Sequence, residues 1–146
     1  MKKRGPMEYA LYLLSRKPRT EKELRTALKK RGVSSDKIDE VIEKLESWKY
    51  IDDAGYAEDF IKIKMKKLYG PGYIRSELLK RGVPDSIIRE SLEKFYDEDF
   101  VMKLAVERAR KMLGDSYDEK LRRRVWNYFA RRGLPASEIL KRVEEK

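Results

Sequence analysis

The chain's 146 residues include 36 Lys and Arg against 26 Asp and Glu, a net charge of +10, and neither Cys nor His. The missing thiols and imidazoles exclude disulfides, thiol nucleophiles and the usual zinc sites, while the surplus of cations favours polyanionic or acidic partners. The longest unbroken apolar run, Tyr9 to Leu14, is far short of the ~20 residues of a membrane helix, so a chain without membrane contact, in the cytoplasm, is the expectation.

In chain order, MKKRGPMEYALYLLS joins a basic start to a short apolar stretch interrupted by Glu8. No small-residue cleavage site follows, so it reads as a helix over 7–15 and not as a secretory signal. TEKE at Thr20 to Glu23 has the form of a capping box, in which hydroxyl and carboxylate satisfy orphan N–H groups reciprocally, and it opens a helix over 20–31. Ile38, Val41, Ile42 and Leu45 keep helical spacing over 35–48, as do Ala57, Phe60, Ile61 and Leu68 over 53–69. GPG at Gly70 to Gly72 opens the next helix, 71–81, because proline is tolerated where its missing N–H is not needed. Helices over 84–95, 97–114, 117–132 and 135–143 complete the series, with a second capping box, SYDE, at Ser116 to Glu119.

Those nine segments repeat. Gly32, Gly82 and Gly133 recur at intervals of 50 and 51 residues, each preceded by Arg, followed by an aliphatic residue and standing where a helix should stop. Leu24, Ile74 and Val125 share the period, as do Leu28, Leu78 and Phe129, then Val33, Val83 and Leu134, then Ile38, Ile88 and Ile139, then Ile42, Leu92 and Val143. Fixed-period self-similarity is the mark of an array. The fold class is therefore all-α: an elongated tandem array of three three-helix repeats, about nine helices, divided at 1–50, 51–96 and 97–146. Each repeat alone is too small to bury much surface, and with no disulfide or metal to staple it, neighbour packing must stabilise it.

Cations cluster at Lys2, Lys3 and Arg4, at Lys29 to Arg31, at Lys62, Lys64, Lys66 and Lys67, at Arg122 to Arg124, and at Arg131 and Arg132. Charge runs are ordinarily solvated helix faces, but basic pairs recurring beside the same turn would line one side of an array and track a phosphate backbone or an acidic groove. Of the aromatics, Phe60, Phe95, Phe100 and Phe129 occupy apolar-periodic positions and read as core, whereas Tyr69 and Tyr73 beside Gly-Pro-Gly are better placed to stack on bases. The acidic pairs Asp52 with Asp53 and Asp97 with Asp99 could hold Mg²⁺, yet each precedes a helix, where capping and the macrodipole account for it. No P-loop or Rossmann glycine pattern occurs. Neither catalysis nor a metal or other cofactor is expected.

DDAGYAEDFIKIK, from Asp52, followed by GPGYIRSELLKRGV, from Gly70, resembles the middle repeat of RecX, the regulator of RecA-type recombinases. Asp52, Asp53, Tyr56, Ala57, Phe60, Gly70, Pro71, Ile74, Glu77, Leu78 and Gly82 match the pattern. Lys62 and Lys64 stand where the family commonly has Arg, keeping the charge but not the planar fork. The resemblance implies three tandem three-helix repeats over residues 8–144. It also implies a monomeric, cytoplasmic regulator of DNA repair, recombination and the SOS response that catalyses nothing. Such a protein lodges in the groove of the RecA nucleoprotein filament, contacts DNA weakly, and inhibits recombinase ATPase, strand exchange and co-protease activity. The residues expected to contact recombinase or DNA are Lys62, Lys64, Lys66, Lys67, Arg75, Lys80, Arg81, Arg124, Arg131 and Arg132. A helix-turn-helix DNA-binding module acting without a recombinase is the alternative, and a helical scaffold for another acidic protein is a third possibility.

Overall fold

Local start and stop signals set where the helices run. The computed structural model describes residues 4–115 and 118–145, and among these there are nine helices and no strand. They are α1 (Pro6–Arg16), α2 (Glu21–Lys30), α3 (Ser35–Ser47), α4 (Asp53–Lys66), α5 (Pro71–Lys80), α6 (Asp85–Phe95), α7 (Glu98–Leu113), α8 (Glu119–Arg131) and α9 (Ala136–Glu145). All nine predicted segments are present. The largest displacement is at the end of α4, expected at residue 69 and found at Lys66.

That helix ends without glycine. Buried Leu68 adopts φ +67° and the Tyr69 N–H donates to the Lys64 carbonyl at 3.0 Å, which is the six-to-one closure normally built on glycine. Lys49, at φ +60°, closes α3 the same way, with the Tyr50 N–H on the Leu45 carbonyl at 2.9 Å. A left-handed conformation is costly for a residue with a Cβ; at Leu68 the complete burial of the side chain offsets it.

Helix starts are capped largely as expected. Thr20 Oγ1 accepts from the Glu23 N–H at 3.1 Å while the Thr20 N–H donates to Glu23 Oε1 at 3.0 Å. Three residues of the acidic pairs act as caps: Asp52 accepts from the Gly55 N–H, Asp53 from the Glu21 N–H, and Asp97 from the Phe100 N–H, each at 3.0–3.1 Å. Ser116, read as the cap of α8, lies outside the described residues; Asp118 caps that helix through the Lys120 N–H at 2.9 Å.

The three Arg-Gly pairs form one motif. Gly32, Gly82 and Gly133 have φ +84°, +89° and +77°. In each turn the glycine N–H bonds the carbonyl three residues back, and the next aliphatic N–H bonds the one five back, Leu28, Leu78 or Phe129, at 3.0–3.2 Å. Those three residues are fully buried, as are Leu24, Ile74 and Val125, so the sequence period copies core positions.

Two of these turns also carry a joint. The buried Thr20 hydroxyl, at the start of α2, donates to the Arg81 carbonyl at 2.6 Å. One period later the Gly70 N–H, at the start of α5, donates to the Arg132 carbonyl at 2.7 Å. A Cβ on Gly70 would collide with the Gly133 carbonyl oxygen, so glycine is required there by close backbone approach, not by its own φ.

The fold divides into two compact units. One comprises the described residues up to Asp59 together with Glu77–Ser91; the other comprises Phe60–Ser76 and the described residues from Leu92 onward. In the first, Ala10, Leu24, Leu28, Ile38, Val41, Ile42, Leu45 and Ile51 form the core, with Met7, Leu13 and Leu14 packed against it. In the second, α7, α8 and α9 bury Val101, Met102, Ala105, Val125, Phe129, Ile139 and Leu140. The middle helices contribute residues to both units.

Candidate functional site

Helical geometry sorts the cations of α4. Lys64 is half-buried, its Nζ 5.4 Å from the Phe60 ring centroid and 5.0 Å from that of Tyr69. The Lys62 Nζ lies 5.1 Å from the Phe95 centroid while the residue stays exposed, its stem covering apolar surface. Lys66 and Lys67 are exposed.

Around Tyr69 the second unit assembles a cation–aromatic cluster. Tyr69 and Tyr73 stack at 4.2 Å and 22°. The Arg132 guanidinium lies 4.8 Å from the Tyr69 centroid and 3.9 Å from that of Tyr128, and its Nε donates to the Lys67 carbonyl at 3.3 Å. Arg108 donates to the Tyr128 hydroxyl at 3.3 Å. The rings expected to stack on bases are therefore occupied within the molecule; Arg132 ties the turn after α8 to the turn after α4, and Lys64 covers Tyr69 from α4 itself.

In the first unit Arg81 likewise serves the fold: half-buried, it donates to the Tyr56 hydroxyl at 2.6 Å. Arg31, before the first turn glycine, lies 4.0 Å from the Tyr9 centroid. The side chain before each turn glycine thus contacts a tyrosine, which explains the recurring basic residue without any partner. Lys80 is exposed and paired with Glu77 at 3.3 Å. Arg75 is exposed on α5, and Arg124 and Arg131 on α8. Lys80 and Arg81 belong to the first unit and the other eight predicted residues to the second.

Sequence reasoning missed part of α8. Lys120, Arg123 and Asn127 share the outward side of that helix with Arg124 and Arg131, whereas Arg122 is paired with Glu144 at 2.8 Å. Placing residues 117–132 on a helical projection would have separated Arg122 from its neighbours. Trp126 is 42% exposed, its indole N–H reaching Ser137 Oγ at 3.4 Å. Phe100, expected in the core, is also 42% exposed; it lies in the first turn of α7, where Asp97 takes its N–H. Phe60 and Phe95 are only half-buried.

Acidic electrostatics concentrate in the first unit. Burial pushes the Asp53 carboxyl above its ordinary range, and the Glu46 carboxyl is raised by the hydrogen bond it shares with Glu21. In the second unit burial raises the Tyr96 phenol to about 12, and its hydroxyl donates to the Tyr69 carbonyl at 3.0 Å. Among the described residues no group of His, Cys, Asp or Glu is placed to hold a metal ion, and no helix is long and apolar enough to cross a membrane.

Against known proteins, residues 7–45 match the first three-helix domain of RecX and residues 52–92 the second. A protein named Regulatory protein RecX from Geobacillus kaustophilus (strain HTA426) is 34% identical over 131 residues, covering 88% of this chain and 49% of its own. Its namesake from Caldanaerobacter subterraneus subsp. tengcongensis is 43% identical over 91 residues, 62% of this chain and 46% of its own. The chain thus spans about half the length of these curated relatives. The crystal structure of RecX from Lactobacillus salivarius aligns with a TM-score of 0.81 at 26% identity, covering 97% of this chain and 96% of that one.

Proposed function

Because the chain belongs to the RecX family, we propose that it is a regulator that binds the nucleoprotein filament of a RecA-type recombinase along its groove and suppresses ATPase, strand-exchange and co-protease activity. The observation that carries this reading is the ordered match to both RecX three-helix domains, in a chain whose relatives bear the name Regulatory protein RecX. The charge agrees: a filament on DNA is a polyanion, and this chain carries +10. Its work is binding and not catalysis, done by a cytoplasmic monomer whose three repeats, 1–50, 51–96 and 97–146, act as successive docking units.

Of the predicted residues, Lys66, Lys67, Arg75, Lys80, Arg124 and Arg131 are the exposed candidates for contact, together with Lys62; Lys64, Arg81 and Arg132 support the surfaces that carry them. Titration of the protein into a recombinase ATPase reaction on single-stranded DNA tests the reading. Inhibition below one regulator per recombinase protomer is expected. An unaffected ATPase with the cognate recombinase would sink it.

A further inference from the structure

Several outward cations on this molecule are paired with carboxylates: Arg25 with Glu21 and Asp39, Lys37 and Lys44 with Glu40, Arg89 with Asp85, and Arg142 with Glu138. The outer face of α8 departs from this. At 100° per residue, Arg123, Asn127, Lys120, Arg131 and Arg124 fall in that order within an arc of about 100°. From Lys120 to Arg131 the strip runs ~16 Å along the helix. Four of its five side chains are cations, and none of the five makes a polar contact with another described residue.

Helix stability does not explain the strip. Lys120 and Arg123 are like charges at i, i+3, and Lys120 and Arg124 at i, i+4, spacings that repel. Lys120 also stands in the first turn, where the helix dipole favours anions. Nor does packing explain it, since the opposite face of α8 supplies Val125 and Phe129 to the core. Glu119, four residues before Arg123, is the one acidic residue of α8, so the strip stays in net cationic excess and an anion from outside relieves it.

We propose that this face of α8 binds duplex DNA, with Lys120, Arg123, Arg124 and Arg131 on backbone phosphates and Asn127 among them as a neutral hydrogen-bonding group. A convex helix bearing cations along its length suits the major groove, about 12 Å wide. Guanidinium forks suit phosphate oxygens. The arc has no aromatic ring at its centre, which sets it apart from platforms that stack unpaired bases. This assignment concerns direct contact with DNA and stands without recombinase binding.

The test is fluorescence anisotropy of the full chain on a short labelled duplex across a salt series, with no recombinase present and with folding checked by circular dichroism. Arg123→Ala with Arg124→Ala should weaken binding at least tenfold at low salt and reduce the slope of log affinity against log salt by about 2. Lys37→Ala with Lys44→Ala, which removes the same charge from α3, should leave both quantities near those of the parent. Parent-like binding by the α8 variant, or an equal loss in the α3 variant, would overturn the proposal. Tighter binding of single strands through the same residues would overturn the duplex assignment. Unchanged duplex binding with lost engagement of an acidic protein would make the face a protein contact instead.

Discussion

A methyl group at Gly70 has nowhere to go, because the Gly133 carbonyl oxygen occupies its place and the Gly70 N–H is committed to Arg132. Gly70→Ala should therefore cost about 1–3 kcal/mol, as overpacking against backbone does. Gly72→Ala, two residues on in open space, should be neutral or stabilising by up to about 1 kcal/mol; denaturant melts of the two variants compare them directly. Asp53 gives a pH signature. Its folded pKa is raised by burial, so its protonated form favours folding; that stability is present below the unfolded pKa and lost as pH rises through the folded value. Asp53→Asn keeps an oxygen for the Glu21 N–H and should flatten this part of the pH dependence in urea melts between mildly acidic and neutral pH. Glu46 acts in the same sense through its hydrogen bond to Glu21, whose own carboxyl is held down by that bond, and both remain in the variant.

At the scale of helices, starts marked by Thr20 or Pro71 and stops marked by Gly32, Gly82 or Gly133 were legible because each residue type answers a specific orphan-group or φ requirement. The stop of α4 was not, since Leu68 takes the left-handed position by virtue of tertiary burial and leaves no local trace. The candidate site was legible as chemistry and less so as geometry. Sequence identified which cations cluster, but not that Lys64, Arg81 and Arg132 would turn inward onto rings: Arg81 meets Tyr56 and Arg132 meets Tyr69 from distant segments, and Lys64 folds onto Tyr69 only because the turn at Leu68 brings that ring back over α4. The same placement selects the cleanest test of α4. Lys66→Glu with Lys67→Glu leaves the ring contacts of Lys62 and Lys64 in place, so the helix content should persist while filament inhibition falls and loses its salt sensitivity. A folded variant that inhibits like the parent would remove α4 from the docking surface.

For the whole molecule, the period marks three repeats, 1–50, 51–96 and 97–146, and the helices of the middle one contribute residues to both compact units. Self-similarity reports which positions are copied; it does not report which copies pack most closely. Residues 51–96 alone forfeit both the Thr20 bond to Arg81 and the Gly70 bond to Arg132. The isolated segment should melt well below the full chain in calorimetry, and equal melting temperatures would show that each repeat is self-sufficient.

Those two bonds have a direction. In both, the donor is the start of a repeat's second helix and the acceptor is the Arg-Gly turn of the repeat that follows. The middle repeat therefore carries both a plug, at Gly70, and a socket, at Arg81, and the two do not exchange roles. A protein built this way lengthens by duplication without inventing a new contact, since an added period brings its own plug and its own socket. It cannot reverse the order of its parts, however, because a module entered backwards would set donor against donor.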